Sequence, residues 1–243
     1  GLDYTSLAVI EREFGKVSHA LNGFAWRPTE LLMACEGDQI ERYLEPCVRA
    51  QKTECFAITE PGAGSDILSM ATRAKKVGND WVINGSKHFV SSHILPDFAI
   101  VFAVTGIDES DRGPRKRVTA FLVDHGHPGF DIVRGPRCVS QRAYLNFVLS
   151  FNDCRVGPGQ VLGEEGEGLT LADKWIKMGR VWVGAGCCGR HRHTQSAVTH
   201  TAHRAHRSYR IYRPDCTAGL CRLPRRLTLR LSKHAPADTY SLH

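Results

Sequence analysis

The chain has 243 residues, 42% of them hydrophobic and 23% charged, which is ordinary for a globular protein and enough for one large domain or two small ones. No run approaches the roughly 18 apolar residues of a membrane span, and the start, GLDYTSLAVIEREFGK, has no basic stretch ahead of an apolar one, so neither a membrane anchor nor a signal peptide is expected. The net charge of +7 is uneven: residues 191–243 hold nine Arg, one Lys, two Asp and seven His, while residues 1–190 set 22 basic groups against 23 acidic ones. The body is close to neutral and the tail is basic, so the overall pI says nothing about the body's partners.

Residues 5–50 read as helical. Ile10, Phe14, Val17 and Leu21 recur at i, i+4, i+7 and i+11, with Glu11, Glu13 and Lys16 off that face. A second short helix is expected over 29–36, with Pro28 at its start and Gly37 at its end. Asp38 and Glu41 have capping-box spacing and open a third, over 40–49.

After Thr53 the pattern changes to short runs rich in β-branched and aromatic residues: 55–59, 70–77, 81–84, 88–92, 98–105, 118–123, 130–133 and 145–151. Gly78-Asn79-Asp80 reads as a tight turn, and Asn84-Gly85 as a second hairpin signal. No long helical pattern lies between these runs, so a mainly antiparallel sheet packing or barrel is expected, not a βαβ fold. Helical periodicity returns at Glu167, where Leu171, Trp175, Met178 and Trp182 share one face, and that helix is expected to end near Arg190. An exposed apolar face at Leu171, Trp175 and Trp182 is expected to favour aggregation.

The nine cysteines, at 35, 47, 55, 138, 154, 187, 188, 216 and 221, are odd in number and include no CxxC pair. Free thiols in a reducing cytoplasm are the expectation. His200, His203 and His206, followed by Cys216 and Cys221, match no common zinc module, so no metal site is expected. An Arg-rich tail with Tyr209 and Tyr212 suits non-specific polyanion binding at most.

The segment Thr59-Glu60-Pro61-Gly62-Ala63-Gly64-Ser65-Asp66 follows an expected strand. Glycines on either side of Ala63 let the backbone turn sharply, with N–H groups free to converge on an anion, and Ser65 adds a hydroxyl. Taken alone, such a segment is a tight turn, and Phe56 and Phe89, at strand positions, are ordinary core residues.

It does not stand alone. Residues 56–66 resemble the flavin-binding signature of the acyl-CoA dehydrogenase family, and residues 81–91, from Trp81 to Ser91, resemble that family's second signature. Residues 97–101, 121–123, 151–156 and 161–168 have counterparts in the same order, and residues 37–46 resemble the helix before the first signature. The resemblance covers about residues 1–190. It implies a multi-domain α and β fold: a partial helical N-terminal segment (1–52), an antiparallel β-barrel-like central domain (53–165) and the first helix of a C-terminal bundle (166–190). Residues 191–243 do not continue the family, and their composition leads to the expectation of an atypical, basic, disordered tail.

The resemblance also implies non-covalent FAD and the oxidation of an acyl-CoA thioester to its trans-2-enoyl-CoA. A carboxylate base takes the α-proton, electrons pass on to an accepting flavoprotein, and the full bundle forms homo-oligomers. By position, Phe56, Ile58 and Thr59 match residues lining the flavin ring. Gly64 and Ser65 match the pyrophosphate and substrate contacts, and Phe89, Val90 and Ser91 match the second flavin segment. Phe89 stands where the family often has Trp, and Ser91 where it has Thr.

The usual Glu base lies beyond residue 190 and its motif is absent. Where some members carry the base on the first bundle helix, this chain has Gly179. The residues after Arg190 lack the expected Arg-x-x-Phe-Gly signature, which suggests translation out of frame. Weak FAD affinity and low or no activity alone are therefore expected. The alternatives are a non-catalytic flavin or acyl-CoA binding module, and a polyanion-binding protein acting through its tail.

Overall fold

The computed structural model describes residues 3–17, 28–109, 113–138 and 144–211, with the backbone alone over 192–211. The chain divides into two compact units, residues 1–197 and 198–243. The first holds helix α1 (Tyr4–Val17), a 3₁₀ turn Glu30–Ala34, a π-turn Ile40–Leu44 running into helix α2 (Glu45–Val48), and then eight strands. These are β1 (Glu54–Ala57), β2 (Arg73–Val77), β3 (Asp80–Ser92), β4 (Phe98–Asp108), β5 (Arg115–Asp124), β6 (Phe130–Arg134), β7 (Leu145–Val156) and β8 (Val161–Leu162). Helix α3 (Gly168–Ile211) follows.

The strands form one sheet in the order β6-β7-β3-β2-β4-β5-β8, with β1 beside β4. The ladders are antiparallel except where β1 and β2 run parallel to β4. The mainly antiparallel central domain read from the sequence is therefore present, flanked by helices on both sides in the chain.

Strand β4 shows why the sheet has a core on each face. Residues 98–103 are wholly buried, and the period of two sorts them by size. Ala99, Val101 and Ala103 point into a cluster with Trp81, Phe121, Phe130, Phe147 and Phe151. Phe98, Ile100 and Phe102 point into another with Leu31, Leu32, Tyr43 and Ala172, supplied by the flanking helical segments, and with Leu162 of β8. Gln39 pins those segments in place by donating to the carbonyls of Gly159, at 2.9 Å, and Val161, at 2.6 Å.

Three expectations change. Asn84-Gly85 is not a turn: β3 runs through it to Ser92, and the register against β7 shifts between Ile83 and Gly85. Gly85 has φ +142° and lies so close to Thr72 that a Cβ would come within 2.6 Å of its hydroxyl oxygen, so glycine serves a bulge here. Second, α1 buries Glu11 and Gly15, whereas Val17 is exposed. A Cβ on Gly15 would stand 2.1 Å from the Gly186 carbonyl oxygen, and one on Gly189 would stand 1.9 Å from that of Arg12. The α1–α3 crossing is thus a backbone contact through glycines, which hydrophobic periodicity does not reveal. Leu21 lies outside the described residues.

Third, α3 continues past Arg190 to Ile211. Residues 191–211 contain neither Gly nor Pro, and the helix ends three residues before Pro214. Its apolar face is not left bare: Ala172 and Met178 are buried, and Leu169, Leu171, Trp175 and Ile176 pack on the sheet. The histidine side chains at 200, 203 and 206, and all of residues 212–243 with Cys216 and Cys221, lie outside the described residues.

Candidate functional site

The site begins where β1 leaves the sheet. Glu60 and Ala63 close a tight turn by exchanging backbone bonds of 3.0 and 3.1 Å. Ala63 is buried beneath it. Beyond it, a Cβ built on Gly62 or Gly64 would meet no atom within 4 Å, so the outer side of the loop is open. Among the described residues, the amides of Gly62, Gly64, Ser65 and Asp66 make no backbone hydrogen bond. Free amides in succession, with the exposed Ser65 hydroxyl among them, make a concavity suited to an anion.

The second part of the site is a strained piece of β3. Its register against β7 shifts again between Lys87 and Val90. Inside this bulge Phe89 takes φ +51°, in the left-handed region, and the residue is 53% exposed. A phenylalanine there stores about 1–3 kcal/mol and gains little burial in return. The His88 ring lies 4.2 Å from the Phe89 ring, and the His88 N–H donates to the Thr59 carbonyl at 2.9 Å, so loop and bulge are tied edge to edge.

The predicted residues divide on their geometry. Thr59 is half-buried at the loop's entrance, Gly64 and Ser65 are exposed on it, and Phe89 and Ser91 are exposed on the bulge. Ser91 Oγ donates to Asn146 Oδ1 at 3.1 Å, and Asn146 Nδ2 reaches Cys138 Sγ at 3.2 Å. Asn146 and Cys138 help line a cavity of about 330 Å³ with Arg134 and Arg137. Ile58 and Val90 are buried, backbone included, so neither presents surface to a ligand in this structure. Phe56 is half-buried between Phe102, at 5.1 Å, and Trp175 of α3, at 4.4 Å. It ties the first bundle helix to the site.

Two residues that sequence reading passed over stand behind the loop. Lys87 is fully buried and donates to the Ile58 carbonyl at 3.0 Å and to Glu60 Oε1 at 2.7 Å. Glu60 also accepts the Ala71 N–H at 2.7 Å and the Thr72 N–H at 3.0 Å. Burial alone would raise the Glu60 carboxyl, but these hydrogen bonds from Lys87, Thr72 and Ala71 outweigh it and hold it below the ordinary value. Burial pushes the Lys87 ammonium down to about 8 against the opposing pull of Glu60. The only signals in the sequence were a carboxylate inside the glycine motif and a lysine two residues before Phe89.

A groove of about 600 Å³ opens beyond the loop, lined by Arg73, Lys75, Lys76, Lys116 and Arg117, with Glu165 the one acid. Lys76 pairs with Glu165 at 3.0 Å and Arg117 with Asp108 at 3.1 Å. Arg73 and Lys75 have no ion pair among the described residues.

Residues 55–154, the span holding both halves of this site, match the family "Acyl-CoA dehydrogenase, middle domain". This chain belongs to the acyl-CoA dehydrogenase family. It is 30% identical over 194 residues to the 3-(aryl)acrylate reductase of Clostridium sporogenes, covering 78% of this chain and 50% of the relative. The same figures hold for subunit CarC of the caffeyl-CoA reductase–Etf complex of Acetobacterium woodii. The butyryl-CoA dehydrogenase structure from Megasphaera elsdenii superposes with a TM-score of 0.66 at 28% identity, covering 78% of this chain and 50% of that one. The chain thus spans about half the length of the curated relatives it matches.

The residues present fit a flavin dinucleotide in chemistry: free amides for its diphosphate, an exposed aromatic face on Phe89, and hydroxyls on Thr59 and Ser91. Among the described residues no group of His, Cys, Asp or Glu could hold a metal ion, and no helix is long and apolar enough to cross a membrane.

Proposed function

We propose that this chain carries the FAD- and acyl-CoA-binding part of an acyl-CoA dehydrogenase, with residues 53–165 as the binding domain. The observation that carries this reading is the meeting of two segments: the open glycine loop and the strained Phe89–Ser91 bulge, joined by the His88–Thr59 bond. FAD bound there supplies the acceptor for the hydride that leaves the acyl β-carbon.

The chain's own groups bind and orient. The amides of Gly62, Gly64 and Ser65 face the diphosphate, and Ser65 is shared with the substrate. Thr59 and Ser91 offer hydroxyls to the ring's polar edge, while Phe56 and Phe89 supply apolar surface beside it. The basic groove along β2 and β5 gives the phosphorylated end of coenzyme A a surface of opposite charge. An electron-accepting flavoprotein is the partner. A reducing compartment, the cytoplasm, suits the buried thiols of Cys35, Cys47, Cys55 and Cys154.

Among the described residues, none of the candidate bases Glu60, Glu167 and Asp173 is placed to abstract the α-proton. Glu60 sits nearest the loop in sequence, but it is buried, saturated with donors and held ionised, so it cannot take a proton from a thioester. Gly179 has no side chain to serve. Glu167 accepts from Thr170 at 2.7 Å and Asp173 pairs with Lys177 at 2.5 Å. These engaged carboxylates favour, as the second reading, a binding module without turnover.

Titration of the full chain with FAD, followed by the flavin's visible spectrum and by thermal unfolding, tests the proposal. A perturbed spectrum and a melting point that rises with FAD concentration are expected. A flat response in both at saturating FAD overturns it. Adding butyryl-CoA with a dye acceptor then separates the two readings, since turnover excludes the binding module.

A further inference from the structure

Among the described ion pairs, Lys87–Glu60 is the one with both side chains out of water. A buried ion pair is a weak source of stability, because an apolar pair of similar volume does as well or better. Its value here lies in what it joins. The Glu60 carboxylate receives the amides of Ala71 and Thr72. Residues 60 and 71–72 are the two ends of the loop that carries Gly62, Gly64 and Ser65, so one side chain draws both ends together.

Lys87 adds the third segment. It is the last β3 residue in register with β7 before the bulge that sets Phe89, and its ammonium reaches back to the Ile58 carbonyl. The neighbouring His88–Thr59 bond runs in the same direction. Strand end, loop and bulge therefore converge on one buried pair.

We propose that Lys87 and Glu60 are the positioning residues of the cofactor site, fixing the glycine loop and the Phe89–Ser91 bulge in the mutual geometry that receives the flavin dinucleotide. Neither touches the ligand. The inference rests on the flavin reading above, and its test includes a readout that needs no flavin.

The full chain is compared with Glu60→Gln, with the double variant Lys87→Met/Glu60→Leu, and with Val156→Ala, a core truncation in β7 opposite Trp81, at the end of the β3–β7 ladder away from the bulge. FAD affinity, the visible spectrum of bound flavin, and amide exchange at Ala63 and His88 without FAD are measured. Glu60→Gln and the double variant are expected to weaken FAD binding by about tenfold or more, shift the bound-flavin spectrum, and speed exchange at Ala63 and His88, with β5 amides unchanged. Val156→Ala is expected to lower the melting point while leaving affinity and spectrum alone. FAD affinity of Glu60→Gln within about twofold of the parent, or no different from Val156→Ala, overturns the proposal. If the double variant does not fold, Glu60→Gln decides. If the parent takes up no FAD, the flavin reading fails, and exchange at Ala63 and His88 alone decides whether the pair positions these segments.

Discussion

Phe89 costs the fold more than it returns. Its positive φ is unfavourable for a side chain with a Cβ, and half of the residue's surface is left to water. Asparagine tolerates this region better, so Phe89→Asn is expected to hold or raise stability, by up to about 1 kcal/mol, while weakening FAD binding. Denaturant midpoints and FAD titration check both halves, and a variant that loses stability with unchanged affinity would mark Phe89 as a packing residue. Glu60 carries a pH signature of its own. Its folded value lies below its ordinary 4.5, so the stability it contributes is complete above pH 4.5 and is lost as pH falls through the folded value. Lys87 acts at the other end: its folded value of about 8 lies below the ordinary 10.5, so the folded chain binds fewer protons in that window and stability rises with pH across it. Urea midpoints should show the gap between parent and Glu60→Gln closing below pH 4.5. A gap that stays constant there would mean that Glu60 is not the titrating group.

Two glycines on different helices invite opposite predictions. Alanine at either gains about 1 kcal/mol of helix propensity. At Gly179 a Cβ meets nothing within 4 Å, so Gly179→Ala should raise stability by that amount. At Gly15 the Cβ would stand 2.1 Å from the Gly186 carbonyl oxygen, and overpacking a backbone contact costs about 1–3 kcal/mol, so Gly15→Ala should destabilise. Thermal unfolding of the pair measures the difference, and equal shifts would refute the close crossing. The same contrast shows what the sequence could reveal about elements. Alternating runs such as Phe98–Ala103 announce strands because both faces are buried apolar. Asn84-Gly85 mimics a hairpin because a bulge and a turn both need a residue free at positive φ, and only the pairing of β3 with β7 tells them apart. The face of α1 was misread because it docks through Gly15 rather than through large apolar side chains. Glu60 and Lys87 went unread because neither spacing nor polarity shows that a glutamate and a lysine 27 residues apart meet in the core.

At the scale of the molecule, charge is divided between a near-neutral body and a basic tail, yet the body keeps its own basic groove. Arg73 and Lys75 are exposed on β2, without an ion pair among the described residues, so their field is available to a ligand. Clustered positive charge on one concave surface raises the affinity and association rate of a polyphosphate, and salt screens both. If the groove receives coenzyme A, the double reversal Arg73→Glu/Lys75→Glu should raise the dissociation constant for CoA about tenfold or more at low salt, and the loss should shrink as salt is added. The decisive control lies in the same chain. Arg225→Glu/Arg226→Glu makes the same change of net charge within the tail, so a general electrostatic attraction would be weakened equally by either variant. Calorimetric titration of CoA into both should show the loss in the β2 variant alone. Equal losses would reduce the groove to a share of the chain's general attraction for anions, and a loss in the tail variant alone would move the anion-binding property to the tail and favour the polyanion reading of this chain over the substrate reading.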